Sequence, residues 1–453
     1  MVRPFKLAFV SLLLALVAWA SFAGGQRLRQ YTVGAIEQTG TPILRNLGAG
    51  LIRAADTTDD NDPAETFQEV LRYVKSDYVD RINDDLKLSS GAVKTMLQSL
   101  DDPRTRFMDS VQKQQFTDQM NGKFTGIGTI LTVVKQKKGE IDQRRLAVAS
   151  PVPGSPAEKA GIRPGDFITE IDGHWVIAYD PRLDLDRLHT KDPNNKQYRQ
   201  AWKDATKRLT DGLGLQKAMD QLTGNTSKPL AITVERSGSP TPLKFSIIPA
   251  TTILNPVQFV PLNNRIAYLR VTQFNDEATT AFTSALKKDT RRLVVLDLRD
   301  NAGGAVVSVQ GGVYGSALQL ISSLSKIAQA GSILRKGNVQ TPVSAPGGQS
   351  TYRLAVLVNK GTSNIAELVA AALHDKAGAK LIGDGTFGDS TFQKLIPLRD
   401  GSAMTIRAGK ILTASGVDFT GKGLKPDVVV PTGGPKSNGD IAVERALSAL
   451  SGS

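Results

Sequence analysis

The stretch of residues 355–393 constrains the fold of this 453-residue chain more than any other. It opens with a short apolar run at 355–358, which predicts a buried strand, and a Lys-Gly-Thr-Ser turn then separates this strand from a helical pattern. Ser363 is the expected N-cap of the helix, Leu368 marks its inward stripe, and a second strand is expected at 379–382. A strand, a turn, a helix and a strand in this order predict an α/β structure.

A glycine-rich segment, Gly-Asp-Gly-Thr-Phe-Gly at 383–388, follows the second strand. Together with the helix before it, this segment resembles the C-terminal processing (tail-specific) peptidases, which are serine proteases that carry a PDZ domain. In that family a segment like G-S-A-S-A-S-E-I places the nucleophilic Ser three residues before a Glu. A segment T-F-G-K-G-x-x-Q then supplies the Lys that acts as its base.

Glu367 and residues 386–388 align with these two family segments without a gap. The alignment puts Asn364 at the Ser position, Asp389 at the Lys position and Gln393 at the Gln that usually completes the set. The resemblance therefore implies a serine-peptidase site in which both the nucleophile and the base are replaced.

The residues before this stretch predict the rest of an α/β core. Strands are expected at 266–271 and at 293–298, and a helix lies between them; the second run is apolar throughout, as in a strand buried on both faces. The sequence Asp-Leu-Arg-Asp-Asn-Ala-Gly-Gly at 297–304 resembles the family's D-L-R-x-N-x-G-G. The resemblance implies that Gly303 and Gly304 belong to an oxyanion loop, and a plain strand-to-helix turn is the alternative.

Two further patterns set the end of this core. A β-hairpin is expected at 395–412, and residues 421–427 match the family's closing G-x-G-x-x-P-D. The resemblance implies a crotonase/ClpP-like α/β peptidase core over 251–435, followed by a C-terminal segment at 436–453.

A second domain is expected at 122–250. The loop 124–128 contains a Gly-x-Gly pattern, and residues 155–173 resemble the helix, turn and strand of PDZ domains in bacterial proteases. In such a domain the loop presents backbone N–H groups to the C-terminal carboxylate of a peptide, which adds as a strand to the sheet edge. The resemblance implies that Gly126, Ile127 and Gly128 bind the peptide, and 229–236 is the expected closing strand.

An insertion at 178–215 interrupts this PDZ-like domain. Residues 195–209 predict an amphipathic helix with Tyr198, Trp202, Ala205 and Leu209 on one stripe. Packing of that stripe on its own domain is the first interpretation, and partner binding is the second. The insertion lies where a PDZ helix normally flanks the peptide groove, so it is expected to alter ligand binding.

Residues 64–121 predict a helical N-terminal region, with caps expected at residues 89–90 and at Asp109. Its segment Asp-Pro-Arg-Thr-Arg-Phe, at 102–107, is similar to the D-P-x-T-R-F that lies just before the PDZ domain in the family. Before it, residues 24–63 read as a tether and polar linker. Residues 1–23 combine two cations with an apolar run at 7–23, which predicts a cleaved signal or, as a close second, a membrane anchor. Either interpretation places the domains outside the cytoplasm.

The amino-acid composition excludes several kinds of site and partner. The chain has no cysteine, which excludes disulfides and a thiol nucleophile, and it shows no metal-binding motif, so no metal and no cofactor are expected. Its formal net charge of +13 is interpreted, for an exported protein, as attraction to anionic lipids or envelope polymers, or as an aid to solubility; nucleic acid is not expected.

Two functions remain open for this multidomain α/β chain. The first is a catalytically silent family member that binds polypeptide C-termini or extended peptides, with an active peptidase as a further partner. The second is a working serine endopeptidase, acting on C-terminal regions of envelope proteins, whose nucleophile is displaced.

Overall fold

The computed structural model describes residues 62–80, 82, 85–100, 102, 104–187, 195–224, 227–303, 312–348, 351–430 and 440–451. The prediction for the signal or anchor at 1–23, and all but the last two residues of the tether and linker predicted at 24–63, lie outside these residues. The chain divides into two compact units, residues 1–86 and 87–453.

In the first unit, helix α1 spans Pro63–Asp77 and begins at Asp62, whose carboxylate accepts a hydrogen bond from the N–H of Ala64. Helix α2 spans Asp85–Gln98 and lies almost entirely in the second unit. The cap expected at residues 89–90 is wrong, because the helix begins one turn earlier. In the second unit, α3 (Ser110–Met120) begins as predicted at Asp109, which forms a capping box with Gln112. The capping box satisfies two N–H groups of the first turn.

A six-stranded antiparallel sheet forms the PDZ-like part of the second unit. Its strands run in the order β3-β4-β5-β7-β8, with β6 beside β5, and helix α4 (Pro156–Ala160) and helix α6 (Leu215–Thr223) pack against it. The closing strand is β8 and not residues 229–236, which form the penultimate strand β7. The strands are β3 (Thr129–Lys138), β4 (Ile141–Pro151), β5 (Phe167–Ile171), β6 (His174–Trp175), β7 (Leu230–Glu235) and β8 (Leu243–Ile247).

The insertion adds a 3₁₀ helix at Pro181–Arg187 and helix α5 at Lys196–Thr210. Asn195 caps α5, since its side-chain oxygen accepts hydrogen bonds from the N–H groups of Gln197 and Tyr198. The helix that flanks β3 is the later α6, so the insertion precedes the expected groove helix and does not replace it.

The peptidase-like core is built on a six-stranded sheet in the order β10-β11-β12-β15-β16-β19, parallel except for β10. Alternate residues of its central strands face opposite sides of the sheet. Three helices pack on one face: α7 (Asp276–Lys288), α8 (Gly312–Leu324) and α9 (Ile365–Ala377). Helix α10 (Ile441–Ser451) packs on the other face. The sheet is thus buried on both faces. Its strands are β10 (Val257–Pro261), β11 (Ile266–Val271), β12 (Leu293–Asp297), β15 (Arg353–Val358), β16 (Lys380–Gly383) and β19 (Val428–Val429).

A smaller sheet lies beside α3 and α9. It has the order β1-β18-β13-β14, with β17 also paired to β18, and β17 and β18 form the predicted hairpin. A separate two-stranded ladder joins β2 to β9. The strands are β1 (Arg106–Met108), β2 (Lys123–Phe124), β9 (Thr252–Ile253), β13 (Gln329–Leu334), β14 (Gln340–Ser344), β17 (Thr391–Pro397) and β18 (Ala403–Thr413).

Candidate functional site

Asn364 occupies a sharp turn between β15 and α9. Its backbone adopts φ 54° and ψ −118°, a conformation that is strained for a residue with a Cβ. Asn364, and not Ser363, is the N-cap of α9, because the chain becomes helical only after this turn. A strained turn between a strand and a helix is the backbone geometry that presents a nucleophile in hydrolases. Here the turn presents an amide.

The Asn364 side chain forms hydrogen bonds with the backbone around it. Its Nδ2 donates hydrogen bonds to the carbonyl oxygens of Thr391 (2.8 Å) and Asp389 (3.3 Å). Its Oδ1 is buried and has no hydrogen-bond partner. The amide therefore ties α9 to the start of β17.

Asp389 carries the second substituted position, and its side chain forms an ion pair. Its Oδ2 lies 2.7 Å from Nη2 of Arg104, and only 8% of the Asp389 side chain is exposed. The same Nη2 donates to Oγ1 of Thr132 on β3, at 2.5 Å. Arg104 thus links the PDZ-like sheet to the substituted base position.

Sequence reasoning missed Arg104, although it lies within the recognised Asp-Pro-Arg-Thr-Arg-Phe segment. The available signal was a cation at the variable position of that segment together with a carboxylate in place of the Lys base. Its backbone is also held at the site, because Nε2 of Gln393 donates to the Arg104 carbonyl oxygen at 3.0 Å and Oγ1 of Thr405 donates to it at 2.9 Å. Gln393 therefore positions Arg104.

Glu367 is the hub of the site. Its buried carboxylate accepts hydrogen bonds from the backbone N–H groups of Asn364 (2.9 Å), Gly388 (2.7 Å) and Asp389 (2.8 Å), and from Oγ1 of Thr386. Burial raises the pKa of Glu367 to about 7, with these hydrogen bonds acting in the opposite direction. One carboxylate thus fixes the relative positions of both substituted residues.

Gly303 packs directly on the Asn364 turn. A Cβ at this position would lie 2.6 Å from the carbonyl oxygen of Ser363 and 2.7 Å from the nitrogen of Ile365, and φ is +75°. In this structure the N–H of Gly303 donates to Oδ1 of Asn301 at 2.9 Å. The oxyanion role of Gly303 stays a prediction, and Gly304 lies outside the described residues.

The loop with Gly126, Ile127 and Gly128 is held by backbone hydrogen bonds. The N–H of Ile127 donates to the carbonyl oxygen of Leu222 at 2.9 Å, at the end of α6, where helix carbonyls lack partners within the helix. This N–H is therefore not directed at a ligand in the present conformation, although the sequence assigned it to peptide binding. The peptide-binding role of the loop stays a prediction.

A cavity of about 200 Å³ joins the loop side of the PDZ-like domain to the substituted site. The edge strand β3 and helix α6 form one wall, α3 forms another, and Asn364 and Asp389 lie on the core side. Ser363 also lines it. Among the described residues that line the cavity, none is Lys or His.

The described residues offer neither a metal site nor a membrane-spanning helix. No group of three His, Cys, Asp or Glu side chains there is placed to hold a metal ion. No helix among them combines the length and apolar character needed to cross a bilayer.

Comparisons with known proteins agree with this architecture. Residues 265–430 match the model of peptidase family S41, residues 148–185 match a PDZ domain, and residues 48–112 match the N-terminal domain of the activating protease CtpB. Carboxy-terminal processing protease CtpA of Bacillus subtilis (strain 168) is 30% identical over 370 residues, covering 80% of this chain and 68% of that protein.

Two further similarities support the same assignment. A carboxy-terminal-processing protease of Bartonella bacilliformis is 29% identical over 403 residues, covering 85% of this chain and 80% of that protein. The solved structure of a photosystem II D1 C-terminal processing protease aligns with a TM-score of 0.57 at 25% identity, covering 81% of this chain and 92% of that one. The multidomain α/β fold is thereby confirmed, and the chain belongs to peptidase family S41, with the carboxy-terminal processing proteases as its relatives.

Proposed function

We propose that this chain is a catalytically silent member of its family that binds polypeptide C-termini or extended peptides. The observation that carries the proposal is the Asn364 amide at the turn where the family has its nucleophile, with Nδ2 hydrogen-bonded to two backbone carbonyls. In this role the protein acts as a scaffold or adaptor, or regulates an active peptidase.

The chemistry of hydrolysis supports this proposal. A Ser/Lys dyad needs a hydroxyl that becomes an alkoxide and a neutral amine that takes its proton. The amide nitrogen of Asn364 is not a usable nucleophile at neutral pH. The Asp389 carboxylate is paired with Arg104 and would repel an oxyanion that formed beside it.

The binding half of the proposal is supported by the free edge of β3. Among the described strands it pairs with β4 alone, so its other edge offers N–H and C=O groups to an added peptide strand. That edge borders the same cavity as Asn364. A peptide bound along β3 would therefore enter the former substrate cleft.

One observation favours the second function, an endopeptidase with a displaced nucleophile. Ser363 lines the cavity next to the turn, and its side chain carries the hydroxyl that Asn364 lacks. A hydroxyl nucleophile also needs a base, and the carboxylates that line the cavity are Asp389, which is paired with Arg104, and Asp220, which accepts hydrogen bonds from Gln112. The arrangement is therefore less suited to acyl transfer than to binding.

Fluorescence anisotropy with the full chain tests the binding proposal. A labelled peptide with a free, apolar C-terminus should bind, and its C-terminally amidated form should bind more weakly, because the carboxylate loses its N–H partners. Equal affinity for both forms, or no binding of either, would count against peptide recognition by the loop.

Export is a further part of the proposal, supported by the cations and the apolar run within residues 1–23. A fusion of residues 1–63 to a periplasmic reporter enzyme should be active outside the cytoplasm. A matched fusion with Leu12→Arg and Leu14→Arg should not, because two charges interrupt the apolar run. Equal reporter activity from both fusions would contradict export by this segment.

A further inference from the structure

Helix α5 of the insertion presents a stripe of cations to solvent. Lys196, Arg199, Lys203 and Lys207 are spaced three or four residues apart, which places them on one face over about 16 Å of helix. All four are exposed, whereas Ala205, on the opposite face, is buried. We call these four residues the basic stripe.

The basic stripe is unfavourable for the isolated helix. Like charges four residues apart repel each other, as Arg199 and Lys203 do and as Lys203 and Lys207 do. Lys196 also lies in the first turn, where the helix dipole disfavours a cation. Within the described part of the chain, no carboxylate forms an ion pair with any of the four, and the one acidic residue of α5, Asp204, accepts from Gln200 instead. The helix dipole favours Lys207, in the last turn, but helix stability does not account for Lys196, Arg199 and Lys203.

Two apolar side chains are half-exposed in this part of the insertion. Trp202 is 44% exposed, although the sequence predicted its stripe to be buried, and Leu183 of the neighbouring 3₁₀ helix is 46% exposed. Trp202 stacks on Tyr198 with ring centroids 6.2 Å apart, and the guanidinium of Arg182 lies 5.6 Å from the centre of the Trp202 ring. The ring is thus held in place at the surface beside the cations.

From this combination we propose that the basic stripe of α5 docks the PDZ-like domain on an anionic lipid surface. Phosphate headgroups complement the charge of the four cations. The half-exposed Trp202 and Leu183 can make favourable contacts with the membrane interface. A soluble polyanion would use the cations and gain little from the apolar pair. No residue of α5 lines the cavity, so this surface is independent of the proposed peptide site.

The test uses the full chain and vesicles whose acyl chains carry bromine, a short-range quencher of Trp fluorescence. The difference in quenching between the natural chain and the Trp202→Phe variant reports Trp202 alone. We expect this difference to appear with vesicles of phosphatidylglycerol and phosphatidylcholine, and to be absent with phosphatidylcholine alone. Because the readout belongs to Trp202, binding by residues 1–61 does not imitate it.

A charge-matched pair of variants makes the test specific. The variant with Lys196→Gln, Arg199→Gln, Lys203→Gln and Lys207→Gln keeps good helix formers and should require a roughly hundredfold higher lipid concentration for the same Trp202 quenching. The control replaces four exposed lysines elsewhere, Lys217, Lys244, Lys287 and Lys288, with Gln and should quench like the natural chain. Circular dichroism of both variants confirms that they are folded.

Three results would overturn the proposal. The first is equal quenching with neutral and anionic vesicles, and the second is an equal loss in both quadruple variants. The third is binding of soluble inorganic polyphosphate that depends on the basic stripe without any Trp202 quenching by anionic vesicles, which would identify the partner as a polyanion.

Discussion

The substituted site and the Gly126–Gly128 loop both depend on close backbone packing at a glycine, but different groups supply the chemistry expected of each. At the site, Gly303 and the strained Asn364 turn pack against each other, and in the loop Gly126 packs against the end of α6. Peptidase chemistry resides in two side chains, at 364 and 389, whereas the recognition expected of the loop resides in backbone N–H groups. Two substitutions can therefore remove the first function without changing the backbone on which the proposed recognition depends.

This comparison predicts that the backbone frame of the substituted site is still stabilising. Replacing Glu367 with Met leaves four buried donors without an acceptor, and we expect a loss of about 4 kcal/mol or more in the free energy of unfolding. Urea denaturation measures the loss. Glu277→Met, at an exposed position in the first turn of α7, is the control and should cost less than about 1 kcal/mol. Equal costs would mean that the frame no longer supports the fold.

The next largest expected change in the free energy of unfolding comes from breaking the Arg104–Asp389 pair. Arg104→Met leaves the Asp389 carboxylate buried without its cation, and we expect a loss of about 3 kcal/mol in the free energy of unfolding. Asp389→Asn should recover part of this loss in the double variant, because the uncompensated charge disappears. Additive effects of the two changes would show that the ion pair does not form in solution.

The hub carboxylate also predicts a pH dependence. The pKa of Glu367 is raised to about 7 in the folded protein, above its value in the unfolded chain, so protonation of this group favours folding. Its contribution is fully present below about pH 4.5 and is lost as the pH rises through 7; the shift corresponds to at most about 3 kcal/mol. We expect the stability difference between the natural chain and Glu367→Gln to change by that order between pH 4.5 and 8. A constant difference would contradict the raised pKa.

Matched glycine substitutions test whether the Gly126–Gly128 loop packs on α6. At Gly126, φ is +92° and a Cβ would lie 2.1 Å from the carbonyl oxygen of Leu222, whereas at Gly161, φ is +90° and nothing lies within 4 Å. Gly161→Ala should cost about 1 kcal/mol through backbone strain alone. Gly126→Ala should cost about 2 kcal/mol more and weaken binding of a free C-terminus. If the two variants unfold alike, the loop does not pack on α6 as described.

Local pattern predicted most of the frame. The buried strands β11, β12 and β15, the hairpin of β17 and β18, and the cap of α3 follow from apolar runs, turn residues and an Asp at the helix start. The N-cap at Ser363 was one residue early, because the sequence does not show that Asn364 takes a positive φ. The closing strand β8 was missed, since its short alternating run, LKFSI, gives a weak signal beside the stronger β7.

Only some of the contacts in the candidate site could be predicted from the sequence. The alignment of short segments found Asn364, Asp389 and Gln393, because their spacing along the chain is local. The pairing of Asp389 with Arg104, and the use of the Ile127 N–H by Leu222, depend on residues that are distant in the sequence. Such contacts arise from tertiary packing. For the ion pair, the sequence offers only the opposite charges at two distant family positions.

Hydrolysis by the purified full chain tests the central claim most directly. An unfolded, fluorogenic polypeptide with an apolar C-terminus is incubated with the natural chain, Ser363→Ala and Asn364→Ala, and cleavage is followed by fluorescence and by mass spectrometry of the products. A silent site predicts no cleavage above the protein-free blank for any of the three. Cleavage by the natural chain that Ser363→Ala abolishes and Asn364→Ala preserves would contradict it and identify Ser363 as the nucleophile.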